Sequence, residues 1–60
     1  MATIKQHRQR AGLTQPELAA LLNVHETTVS KWENGVALPR AETLRKLAKI
    51  FVCSIDELLE

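Results

Sequence analysis

Residues 14–35 read TQPELAALLNVHETTVSKWENG, a stretch that holds two helices separated by a very short corner. Thr14 suits an N-cap, and Glu17 three residues later completes a capping box in which each side chain meets the other's backbone N–H. Pro16 falls in the first turn, where the N–H it lacks would have had no partner. Leu18, Ala19, Leu21 and Leu22 make the apolar side, and Asn23 ends the helix because asparagine tolerates the left-handed conformation. A second helix is predicted over residues 26–33, closed by the Asn34-Gly35 pair. Only about three residues join the two, so they must cross steeply. Such a crossing needs a small side chain where the backbones approach, which Ala19 supplies. It also needs apolar pins, and Leu18, Leu22, Val24, Val29 and Trp32 fill those places.

Working outward, helical patterns continue on both sides. Residues 4–11 read as a helix opened by Thr3 and Gln6 as a capping box, with Ile4, His7, Arg8 and Ala11 as its inward stripe and Gly12 as its stop. After Pro39, Leu44, Leu47, Ala48 and Phe51 recur at helical spacing. Ser54 and Glu57 form a further capping box ahead of Ile55, Leu58 and Leu59, the residues expected to be buried there. No segment alternates with period two. The expectation is an all-α fold, a compact bundle of five short helices in a single domain over residues 1–60.

Composition agrees with that reading and removes several classes. The chain is 45% hydrophobic and can build a core, but at 60 residues it buries little and is marginally stable alone. It has no apolar run long enough for a membrane span, and no apolar stretch follows the early basic residues as a signal peptide requires. The lone Cys53 cannot form an internal disulfide, which suits a cytoplasmic protein. No nucleophile–base pair, metal-ligand cluster or phosphate-binding glycine loop is visible, so neither an enzyme nor a cofactor or metal site is expected. Net charge is only +1, yet its layout is uneven: all eight Lys and Arg fall in residues 1–49, and residues 50–60 carry acids alone. A basic body suits a nucleic-acid partner, but charge alone does not separate that from chance asymmetry.

The helix over 26–33 carries the functional signal. At about 100° per residue, Glu26, Thr27, Ser30, Lys31 and Asn34 fall within one arc of roughly 140°, while Val29 and Trp32 point the other way. The arc holds hydrogen-bonding side chains of short to medium length and nothing apolar. A helix that reads base edges needs such donors and acceptors. By itself the pattern also describes an ordinary amphipathic helix. The short corner, Ala19 and the flanking caps favour the groove-reading interpretation.

From RQRAGLTQ through AKIF the sequence strongly resembles the Cro/phage-repressor type of helix-turn-helix domain, the XRE family of bacterial and phage regulators. The likeness runs from Ile4 to Leu59 and is most specific in GLTQ-x-E-LA, in WENG, in Pro39 four residues past Gly35, and in SIDELL. It implies a lambda-repressor-like bundle whose third helix enters the major groove of double-stranded DNA. Glu26, Thr27 and Lys31 occupy the family's base-reading places. Gln15 matches its phosphate clamp, with side chain and backbone N–H toward the DNA backbone. Thr28 and Ser30 would touch phosphate or base edges, Asn34 would approach the backbone, and Arg40 would contact phosphate or the minor groove unless it is simply a solvated loop cation. Lys31 can donate to guanine O6 and N7; Glu26 either accepts from cytosine N4 or serves the helix dipole. The resemblance also pairs Arg8 with Glu33 in a largely buried, structural ion pair.

Four positions depart from the family pattern. His7 stands for leucine and reads as a packed or half-buried histidine. His25 stands where Ser or Thr commonly caps, so capping there should be weaker. Val52 replaces a glycine, and β-branched residues resist positive φ, so the helix end must differ or carry strain. Cys53 replaces valine and reads as a small core residue.

The implied function is a transcriptional regulator, a repressor in preference to an activator, binding a near-palindromic operator as a homodimer that forms in solution or only on DNA. The alternative is an antitoxin or accessory interaction module with weak DNA binding. Against it stands the polar outward arc, because partner-binding surfaces centre on aromatic or apolar anchors.

Overall fold

A computed structural model of the chain describes residues 4–59, with side chains to residue 58. The expected Thr3 cap and the Leu59 side chain therefore lie outside what is described. The elements are α1 (Ile4–Arg10), α2 (Gln15–Leu22), α3 (Glu26–Glu33), α4 (Ala41–Phe51) and α5 (Ile55–Leu59), and the described residues include no strand.

Local chemistry sets most of the boundaries. Gly12, at φ +75°, turns the chain after α1, while Leu13 N–H donates to Arg8 C=O at 3.1 Å. A Cβ at Gly12 would meet no neighbour, so the backbone angle rather than crowding demands glycine there. Thr14 and Glu17 cap α2 reciprocally: Glu17 N–H donates to Thr14 Oγ1 at 3.2 Å and Thr14 N–H to Glu17 Oε1 at 2.9 Å. The Thr14 backbone N–H first, and the Thr14 side chain second, hold the Glu17 carboxyl below its ordinary range. Asn23 is left-handed at φ 56°, and Val24 N–H closes the corner on Ala19 C=O at 3.0 Å. Ser54 Oγ accepts from Glu57 N–H at 3.2 Å and opens α5.

The core is small and centred on the α2–α3 crossing. Leu18, Val29 and Leu47 are fully shielded, with Ile4, Ala19, Leu22 and Leu58 buried around them. Ala19 keeps the α2 backbone close to α3, and Val24, Trp32, Leu44, Ala48 and Phe51 pack half-buried around the rim. Cys53 is half-buried too; desolvation first, and the nearby Glu57 charge second, push its thiol up, as for an inert packed thiol. His7 is buried with its ring stacked on Phe51, the centroids 5.6 Å apart, and its Nε2 finds no hydrogen-bond partner. Leaving a polar nitrogen unsatisfied costs roughly 1–3 kcal/mol, which the ring contact offsets only in part.

Three residues expected inside lie outside. Ala11 is exposed because α1 stops at Arg10 and Ala11 already belongs to the turn. Leu21 is 60% exposed, since Leu18 and Leu22 take the core side of α2 and Leu21 is left at its edge. Ile55 is exposed because five residues make barely more than one turn, and Leu58 takes the inward place.

Val52 ends α4 at φ 54°, ψ 52°, with its side chain almost fully in solvent. The left-handed conformation of a β-branched residue is strained, and no burial compensates for it. Val52→Gly is expected to stabilise the domain by about 1 kcal/mol after glycine's greater entropy loss is subtracted. Thermal melting followed by circular dichroism checks this as a rise in Tm of roughly 4–8 °C.

Candidate nucleic-acid interface

The corner at residues 23–25 sends α3 across α2 with Val29 in the core and Trp32 packed against it. That fixes the rotation of α3 about its axis. Glu26, Thr27, Lys31 and Asn34 are consequently exposed, and Thr28 and Ser30 half-exposed beside them. Within this face Asn34 Nδ2 donates to Ser30 Oγ at 3.2 Å, a link one turn apart that steadies the C-terminal end. At the opposite end His25 occupies the N-cap in extended conformation with no side-chain cap bond. Glu26 sits in the uncapped first turn, where a negative charge complements the helix dipole.

Arg40, at the N-cap of α4, is exposed and lines a depression of about 300 Å³ with Thr28, Trp32 and Pro39. The loop after α3 thus brings Arg40 beside the polar face of α3.

Behind α3 lies a polar network. Arg8 Nε donates to Glu33 Oε2 at 2.7 Å and Arg8 Nη2 to Glu33 Oε1 at 3.2 Å, a bidentate pair whose side chains are 11% and 2% exposed. Arg8 Nη1 donates to the Leu13 carbonyl at 2.8 Å. Gln15 Nε2 donates to Glu33 Oε1 at 2.9 Å. Nothing local in the sequence announces this last bond, because 18 residues separate its ends and only the crossing angle brings them together.

The network fixes charge as well as shape. Desolvation pushes the Glu33 carboxyl up, but the hydrogen bonds from Arg8 and Gln15 and the charges of Arg8 and Lys5 prevail and hold it below its ordinary value of 4.5. A depressed carboxyl binds fewer protons in the folded state than in the unfolded chain between the two pKa values. Its stabilisation is therefore complete above the unfolded value and is lost as pH falls through the folded one. Stability in denaturant titrations is expected to fall with acid below about pH 4.5. In Glu33→Gln that part of the acid sensitivity should disappear.

At the start of α2 the donors can be counted. Thr14 N–H goes to Glu17, Glu17 N–H to Thr14 Oγ1 and Leu18 N–H to Thr14 C=O, while Pro16 has none. The Gln15 N–H is the backbone donor these bonds leave over, at the positive end of the helix dipole.

Comparison with known proteins agrees with this geometry. A family model described as helix-turn-helix matches residues 4–58. The HTH-type transcriptional activator BcrR of Enterococcus faecalis is 45% identical over 56 residues, which cover 93% of this chain and 28% of that protein. The HTH-type transcriptional regulator ImmR of Bacillus subtilis (strain 168) is 39% identical over 56 residues, 93% of this chain and 44% of that protein. The chain thus spans less than half the length of either curated relative. No solved structure matches.

Proposed function

The chain belongs to the Cro/phage-repressor type of helix-turn-helix family, a family of DNA-binding transcriptional regulators, and we propose that it binds double-stranded DNA sequence-specifically with α3 in the major groove. The observation carrying this reading is the exposed, wholly polar arc of α3, whose far side is locked into the core. Glu26, Thr27 and Lys31 read base edges. Gln15, Thr28, Ser30, Asn34 and Arg40 hold the phosphates or groove walls. Two copies on a near-palindromic operator set their recognition helices about one DNA turn, roughly 34 Å, apart. One relative is described as an activator, so the family likeness does not settle the sign of regulation. Occupying a promoter suffices to repress, whereas activation needs a further productive contact, and on that ground repression stands first.

The test is selection of bound sites from a random duplex pool, followed by titration of the winner at several salt concentrations. Affinity should fall linearly on logarithmic axes, by about 10³-fold between roughly 50 and 200 mM salt for some six phosphate contacts. The selected site should bind at least about 10³-fold more tightly than unrelated DNA. Flat salt dependence, or no winning sequence, would return the chain to the interaction-module reading.

A further inference from the structure

We propose that Glu33, whose side chain is nearly sealed from solvent, is a positioning residue for the phosphate contact that Gln15 makes in the binding mode above. The inference rests on that binding mode and adds a residue that touches no nucleotide. A glutamine side chain ends in two groups of similar shape and opposite polarity. An N–H aimed at a phosphate attracts it, and a carbonyl oxygen aimed there repels it. In solvent the amide samples both orientations. Here Gln15 Nε2 donates to Glu33 Oε1 at 2.9 Å, and a carboxylate accepts only from the nitrogen end. The amide is thereby held in one sense. Its second Nε2–H stays available to an incoming oxygen beside the Gln15 backbone N–H, the donor that the capping box leaves over.

Glu33 can do this because it is itself immobilised. Arg8 grips both of its oxygens, and the third arm of the guanidinium anchors to the Leu13 carbonyl in the turn two residues before Gln15. One network therefore spans α1, the α1–α2 turn, the start of α2 and the end of α3. It also neutralises the Glu33 charge, which would otherwise oppose a phosphate nearby. Through it the end of the recognition helix and the backbone clamp share a rigid reference, so base contacts and phosphate contact are set in register with one another.

The experiment is a double-mutant cycle on binding to the selected duplex, with a companion duplex in which the phosphate facing Gln15 is replaced by a neutral methylphosphonate. Gln15→Ala is expected to weaken binding about tenfold on the native duplex and hardly at all on the methylphosphonate duplex. The Arg8→Met/Glu33→Met variant replaces the ion pair with apolar side chains of similar reach, a change that buried pairs often tolerate. It should lose about the same tenfold, and adding Gln15→Ala to it should cost less than about twofold more. Glu33→Gln, if folded by circular dichroism, should fall between the wild type and the Met/Met variant. If Gln15→Ala still costs tenfold in the Met/Met background, the clamp orients itself and the proposal is overturned. Should the Met/Met variant not fold, the Gln15 side-chain amide resonances of the wild type decide. Two well-separated protons whose shifts follow Glu33 titration support positioning, and averaged, solvent-like signals overturn it. Absence of salt-dependent DNA binding by the wild type would instead remove the binding mode itself, an outcome the first titration detects separately.

Discussion

Arg8→Ala is expected to remove about 3–5 kcal/mol of stability, because it leaves the nearly sealed Glu33 carboxylate without its cation. A domain of this size holds only some 3–9 kcal/mol in total. The variant should therefore lose a large share of its stability and melt at a sharply lower temperature, which far-ultraviolet circular dichroism and a denaturant titration will show. Most of the lost DNA affinity should track the folded fraction and recover when excess operator pulls the equilibrium back, leaving at most the roughly tenfold loss expected once the Gln15 clamp is no longer braced. A variant that melts normally yet loses far more than that tenfold would show that Arg8 acts at the DNA surface, against its place behind α3.

Lys31→Ala is the largest effect expected on recognition itself. Lys31 is exposed on the outward arc of α3, on the C-terminal half of the helix. A lysine bonded to guanine O6 and N7 contributes roughly 1–3 kcal/mol of discrimination, so affinity for the selected site should drop about five- to hundredfold. Repeating the selection with the variant should lose guanine preference at one position of each half-site and leave the others intact. A uniform loss on all sequences would reassign Lys31 to the phosphate backbone, with the salt slope reduced by about one.

Features decided by a few neighbouring residues were legible in the chain. Thr14 with Glu17, left-handed Asn23 and Gly12, and the Asn34-Gly35 stop all act within one helical turn, where residue chemistry outweighs context. Most helix boundaries followed from them, whereas Val52 and His25 stood out only against the family pattern, which left a changed helix end or strain open at Val52 and implied weaker capping at His25. Short helices obscured the rest. In eight residues the apolar positions of α2 cover more than one side, and spacing alone does not say that Leu21 rather than Leu18 is left in water. Ile55 was misread for the same reason on a still shorter helix. The Gln15–Glu33 bond could not be read at all, since it depends on the crossing of α2 and α3. Spacing put Arg8 on the inward stripe of α1, but its pairing with Glu33 and the role of Gln15 came from family resemblance alone.

His25 leaves the two ends of α3 unequally finished. From Ser30 onward the helix is buttoned by Asn34 and braced from behind by Arg8, whereas the turn bearing Glu26 and Thr27 opens with loose amide protons. Such a turn can fray and re-form at little cost. On the proposed binding mode, an operator position facing Lys31 would be judged against a stiff template, and one facing Glu26 against a pliant fingertip. Natural sites should accordingly be strict at the former position and forgiving at the latter.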